Sequence, residues 1–248
     1  MPPAKAFFLG EDRVTQGRWK GEYGRTGFHI PVLPPQIPWP IQAGPVDEYT
    51  FLWEVPVSDP RGVQHPDELW NLASCWVDTE KVTYRSAFLD GRPGMFSIYC
   101  LDWDSFIRIS RIEIKDAETG KLLDERWLQE FRNGVWMSWY IQGDVILELT
   151  SLQGNGVISG AFFDPDTVIK PLIHSIVPQF LDGKIVVTLT WRSVPGRVCR
   201  IQVSEDLSVA SWRNLGEPIV PEVFESKLTL ELSDNPARLF FRIVDDLP

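Results

Sequence analysis

Histidine, cysteine and surplus positive charge are scarce in this sequence, and each shortage removes a class of function. Three histidines, His29, His65 and His174, lie far apart, each close to a proline, so no two share a helix face as metal ligands or pair with a nucleophile in a local motif. Cys75, Cys100 and Cys199 are an odd set inside apolar alternating runs. Their spacing matches no zinc pattern and supports no disulfide framework, which leaves them as small buried hydrophobes. With 24 Lys and Arg against 34 Asp and Glu, the formal charge is −10. Nucleic acid and anionic membranes both call for a basic face, so neither is expected as a partner. No apolar run approaches the ~20 residues of a membrane span, and no membrane insertion is expected. The opening "MPPAKAFFLG" has no basic region followed by a long apolar one, so no secretory signal is expected within it. That is consistent with an intracellular protein or with part of a longer exported one. The nucleophile elbow G-x-S-x-G, the H-E-x-x-H zinc motif and phosphate-cradling glycine loops are all missing.

What is present is tryptophan, 11 residues, and proline, 20. Tryptophan fills cores and also stacks on the apolar faces of sugar rings, while frequent proline cuts a chain into strands and loops rather than helices. Strand signals dominate: "YTFLWEVPV" (49–57), "ASCWVD" (73–78), "VTYRSAFLD" (82–90), "MFSIYCLDW" (95–103), "FIRISRIEIKD" (106–116), "VWMSWYI" (135–141), "DVILELTSL" (144–152) and "GVISGAFF" (156–163). In 106–116 the apolar phase shifts near Ser110 and Arg111, which suggests a bulge or bend. Turn pairs separate the runs, among them Asp90-Gly91, Thr119-Gly120, Asn133-Gly134 and Gln142-Gly143. Short helices are expected around 66–72 and 124–131 only. The segment 26–49 holds six prolines and predicts an extended loop with Trp39 stiffly presented between Pro38 and Pro40. Near 164–181 the rhythm breaks into a linker with an entering strand. A second strand set follows: 184–191, 197–206, 211–216, 227–233 and 237–245. The pattern predicts an all-β chain of two sandwiches, at about 1–168 and about 176–248, the second small and Ig- or fibronectin-like.

Several residues could carry chemistry. Asp102 and Asp104 flank Trp103; on a strand they would share one face about 7 Å apart. That spacing would suit structural hydrogen bonding, contact with a substrate or, with Ser105 adding an oxygen, structural calcium. Catalysis by such a pair would need a cleft and a raised pKa, and no partner groups converge on it in the sequence. Trp19 and Tyr23 lie in the glycine-rich "GRWKGEYG", where a turn could present rings to a ligand or where close approach could cap the core. Trp136 and Trp139 are three apart on one strand and face opposite sides, which predicts one core ring and one exposed ring. Trp53 and Trp76 are expected in the core.

The motifs TQGRWKGEYGRTGF (15–28), SDPRGVQ (58–64), ASCWV (73–77), IYCLDWDSFIR (98–108), IEIKDAETGKLLD (112–124) and NGVISGAFFDP (155–165) occur in that order. They resemble a module of large exported proteins of planctomycetes, verrucomicrobia and related bacteria, which reads TQGNWKGVYGxDGY, SDPRALQ, AATWY or AACWY, LYxLDWDSxxR, VxVxDAxTGxxLD and NAVVSGLFFDP. The tail, LTWRSVPGRVCRIQVSEDLSVASWRNLG (189–216) with FFRIVD (240–245), resembles a second segment of the same bacteria. The resemblance implies a jelly-roll, galactose-binding-like sandwich followed by an Ig/fibronectin-III-like one. It implies an extracellular or cell-surface setting, a glycan or other surface partner, and neighbouring domains of a longer polypeptide. It offers no catalytic residues to carry over, and no cofactor beyond the calcium option. The expected function is therefore a non-catalytic carbohydrate-binding or adhesion module using Trp19, Tyr23 and Trp39, with Arg18, which stands where the family has a small polar residue, as a hydrogen-bonding partner. Two rivals are a structural or assembly protein without a glycan ligand, and a glycan lyase or hydrolase that would recruit Tyr84, Tyr99 or Tyr140.

Overall fold

The structure, a computed structural model, describes residues 2–181, 184–232 and 238–245. The chain is all-β and separates into two compact units, residues 1–168 and 169–248. None of the described helices is long and apolar enough to cross a membrane.

The first unit runs β1 (Lys5–Asp12), β2 (Gly27–His29), β3 (Ile41–Pro45), β4 (Tyr49–Val57), β5 (Val63–Gln64), β6 (Asn71–Asp78), β7 (Lys81–Phe88), β8 (Gly94–Cys100), β9 (Ile109–Asp116), β10 (Leu122–Leu128), β11 (Val135–Gln142), β12 (Asp144–Gln153), β13 (Gly156–Ile158) and β14 (Gly160–Pro165). These form two five-stranded antiparallel sheets, ordered β1-β11-β8-β14-β2 and β10-β9-β12-β7-β3, and a smaller sheet β13-β6-β4 with β5 on β6. The two large sheets face each other over one core. Phe96, Ile98, Met137, Trp139 and Phe163 from the first meet Tyr84, Ile112, Ile114, Leu147 and Leu149 from the second.

Burial pattern explains sequence pattern. In β9 the buried Ser110, Ile112 and Ile114 alternate with the more exposed Arg111, Glu113 and Lys115, as expected of a strand with one wet face. In β8 and β11 alternation disappears because both faces are covered. A second apolar layer, built from Trp19, Phe28, Ile30, Val63 and Leu72, lies on the outer side of the first sheet against Tyr99, Trp136 and Phe162. Trp136 and Trp139 do face opposite sides, yet both are fully buried, so the expected exposed ring is absent.

Three other expectations change. Residues 122–128, rich in helix-favouring Leu, Glu and Arg, form strand β10 on the edge beside β9, because tertiary pairing outweighs intrinsic propensity. Residues 66–70 turn around the His65 ring, whose Nδ1 accepts the Asp67 and Glu68 amides, and enter β6 extended. The phase shift near Ser110 is no bulge in β9; residues 101–108 are a loop and the strand starts at Ile109, the irregularity lying in β12 between Ser151 and Gln153.

In the second unit, β15 (Leu172–Leu181), β16 (Lys184–Arg192), β17 (Cys199–Ser204), β18 (Arg213–Asn214), β19 (Glu225–Leu232) and β20 (Phe240–Asp245) form two three-stranded sheets, β15-β16-β19 and β18-β17-β20. Val187, Leu189, Trp191, Cys199 and Ile201 make their shared core. Ser233 and Ala237, at the ends of two expected strands, lie outside the described residues. All three cysteines are buried and free.

His29, on β2, is packed edge-on against Trp76 and lies 3.4 Å from the Tyr84 hydroxyl. Burial pulls its pKa down from 6.5 to about 4. Between those values the unfolded chain takes up a proton that the native chain refuses, so stability falls as pH drops from about 6.5 toward 4. Replacing His29 with glutamine is expected to flatten that part of a stability–pH curve measured by urea unfolding. An unchanged slope would show that His29 does not carry it.

Candidate functional site

One end of the first unit is closed by the loop 101–108 between β8 and β9. Asp102 is its anchor. The buried carboxylate accepts hydrogen bonds from the Ser105 amide (3.2 Å) and hydroxyl (2.8 Å), from the Arg108 amide (3.2 Å) and from the Arg108 guanidinium. Burial alone would raise its pKa, but the Ser105 and Arg108 hydrogen bonds and the arginine charge outweigh it and hold the carboxyl below the usual range. Arg108 is itself buried; its Nη1 also donates to Asp104 (2.7 Å) and its Nε to the Asn155 side chain (2.6 Å). Asp104 accepts from the Trp53 indole N–H on β4 at 3.0 Å. One guanidinium therefore ties together the loop, the β12–β13 turn and the neighbouring sheet.

Around this knot lie aromatic rings and further arginines. Phe51 meets Trp53 edge-on at 5.8 Å, and the Arg108 guanidinium sits 5.8 Å from the Trp53 ring. Arg61 stacks over Trp103 at 4.6 Å, pairs with Asp59 at 2.8 Å and donates to the Arg132 carbonyl at 3.0 Å. Phe106 is 59% exposed with φ of 60°, and Arg132 lies over its ring at 5.8 Å. A bulky residue in the left-handed region is uncommon and costs roughly 1–3 kcal/mol, so the surrounding bonds must impose it. The result is a charge-compensated surface carrying exposed faces of Phe51 and Phe106 and a half-buried Trp53. It can stack on an apolar ring face and exchange hydrogen bonds with hydroxyls through Asp104, Arg132 and Asn155. Asp102 and Asp104 are both committed to Arg108, and Asp102 is held ionised.

The sequence-derived candidates fall elsewhere. Trp19 is 5% exposed, donates its indole N–H to the Gln64 carbonyl (2.8 Å) and packs on Phe28 and Phe162, so it is a core ring and not a ligand platform. Tyr23 stacks on Trp136 at 4.0 Å with planes 5° apart, and its hydroxyl donates to Asp12 at 3.0 Å. Burial, with the nearby Asp12 charge, pushes that phenol far above its ordinary pKa. Both residues serve as the lid over the first sheet, because glycines let their loop approach closely. Arg18 is exposed beside them. Trp39 is 73% exposed, at the other end of the unit. Asp102 and Asp104 are loop residues, and both accept from the Arg108 guanidinium. Among the described residues no group of three or more His, Cys, Asp or Glu side chains is placed to hold a metal ion.

The candidate tyrosines, Tyr84, Tyr99 and Tyr140, are all buried. Tyr84 faces His29 within the core, and Tyr99 donates to the Arg61 carbonyl at 2.7 Å. The outer face of the second large sheet is equally committed: Glu148 pairs with both Lys81 and Lys115 at 2.7 Å. Sequence alone does not single out Phe51, Phe106, Arg108 or Arg132, because Phe106 and Arg108 lie in a run with strand character, Phe51 lies in an apolar run, and Arg132 belongs to no motif. The available signal was the polar "DWDS" just before Phe106, a turn former that ends a strand.

No family model matches the sequence, and no curated protein matches it either.

Proposed function

We propose that the first unit is a non-catalytic carbohydrate-binding module of a larger exported, surface-located bacterial protein, and that its ligand lies on the 101–108 loop end. The observation that carries this reading is the exposure of two rings, Phe51 beside Trp53 and Phe106 on the 101–108 loop beneath Arg132, on a surface where acids and arginines alternate. Sugar binding calls for that combination: apolar ring faces stack, and nearby polar groups hydrogen-bond the hydroxyls. Because Asp102, Asp104 and Asp59 are matched by Arg108, Arg61 and Arg132, three acids against three arginines, the site favours uncharged sugars over polyanions.

The test is a glycan array with affinity gels of neutral, cationic and acidic polysaccharides. Binding to a neutral glycan is expected. Phe106→Ala and Phe51→Ala should each weaken it roughly 3- to 10-fold, the scale of one aromatic contact, with Tm retained. Binding to none of the polysaccharides overturns the reading.

A second reading, assembly with other domains or copies, is favoured by the edge strand β15, where Ile176, Val177, Phe180 and Leu181 are exposed. It becomes the better one if the glycan screen is blank and the chain sediments as an oligomer.

A further inference from the structure

We infer that the first unit carries a second neutral-glycan site at Trp39, on the end opposite the 101–108 loop, so that a single chain bridges two glycan strands. This rests on the glycan reading above and adds to it a second site and a consequence, cross-linking.

The placement follows from strand β8. Its C-terminal residue, Cys100, leads into the 101–108 loop, whereas its first residue, Gly94, abuts Phe88. Phe88 pairs with Ile41, and the Leu89 amide donates to the Pro40 carbonyl at 2.8 Å. Trp39 therefore belongs to the Gly94 end. Seven strand residues at ~3.3 Å each put the two ends about 20 Å apart, too far for one sugar ring to touch both.

The Trp39 site has its own components. The ring is 73% exposed and has no aromatic partner among the described residues. Just before it, Pro38 borders a surface cleft of about 380 Å³ that is also lined by Arg25, Thr26, Phe28, Gln36 and Ile37. That volume suits a small ligand, and the lining mixes apolar surface with hydrogen-bonding groups. No acid lines it. Arg25 is already engaged, donating to the Gly21 carbonyl at 2.6 Å and lying 3.7 Å from Asp164, so the cleft is matched to an uncharged ligand. The loop is held rigid: Val32 has φ of 68°, costly for a β-branched residue, and the flanking Pro31 carbonyl accepts the Ser74 hydroxyl at 3.1 Å. Prolines at 34, 35, 38 and 40 remove further freedom, so Trp39 loses little entropy when a ring stacks on it.

Two sites on one rigid unit give multivalent attachment to a repeating polymer and let a monomer join two strands. The experiment titrates the full chain, first shown to be monomeric by sedimentation, with gluco-, manno-, xylo- and galacto-hexaoses, and then mixes it with beads coated with the corresponding glycans. Two oligosaccharides per chain and bead agglutination are expected. Trp39→Ala, and the double variant Phe51→Ala/Phe106→Ala, should each reduce the stoichiometry to one and abolish agglutination. A wild-type stoichiometry of one, or agglutination that survives Trp39→Ala, overturns the second site and leaves the first standing. Binding of none of the four overturns both.

Discussion

Replacing Arg108 with methionine is expected to cost the first unit about 3–5 kcal/mol, because it strands the buried Asp102 carboxylate without its countercharge. For a unit of this size that corresponds to a fall in Tm of roughly 10 °C. Asp102 would keep the Ser105 hydroxyl and two amides, but these cannot replace a guanidinium in a site closed to water. Adding Asp102→Asn should recover much of the loss, since no charge is then left buried and the amide-facing acceptor remains. Denaturant unfolding of the four members of this cycle checks the claim. A loss below about 1 kcal/mol in Arg108→Met would mean that the pair is solvated. The same pair sets an acid limit. The Asp102 carboxyl is held below its unfolded value, so its stabilisation is complete above about pH 4 and is lost as pH falls through the folded pKa. Glycan binding should fail along with it, because Arg108 also fixes Asp104 and Trp53.

Gly17→Ala is expected to be at least as damaging, above about 4 kcal/mol or without a folded product. A Cβ at this position would stand 1.8 Å from the Gly62 carbonyl oxygen and 2.5 Å from its carbon. Both are backbone atoms and no rotamer relieves them. Separating the chains would break the bonds from the Gly17 amide to the Pro60 carbonyl and from the Gln64 amide to the Gly17 carbonyl, each 3.0 Å. It would also lift Trp19, two residues on, from Phe28 and Phe162. Near-UV circular dichroism reports this layer directly through Trp19 and Trp136. Gly21→Ala is the control: it has φ of 88° but no atom within 4 Å, so it should cost only about 1 kcal/mol. Equal effects from the two substitutions would show that close approach is not what Gly17 provides.

These two residues mark where local reading stops. The run containing Gly17 and Trp19 was legible as a glycine-rich turn bearing rings, yet whether the rings faced water or a sheet depended on residues 60–64 and 162. The "DWDS" stretch was legible as acids near a strand end. That Arg108, six residues after Asp102, would fold back onto both acids depended on the loop's left-handed Phe106. Likewise "LLDERWL" has helix-favouring composition and became a strand because β9 offered it an edge.

The sequence by itself determined the all-β class, most strand positions and the breaks between them, because β-branched alternation, turn glycines and proline act over a few residues. Its acidity and shortage of histidine also narrowed the chemistry, since charge and ligand supply are properties of composition. Only the tertiary structure decided which tryptophans are wet. A ring's exposure depends on what the rest of the chain lays against it, and here the loop carrying Trp19 and Tyr23 folds down over Trp136 and the first sheet while Trp39, Phe51 and Phe106 stay open.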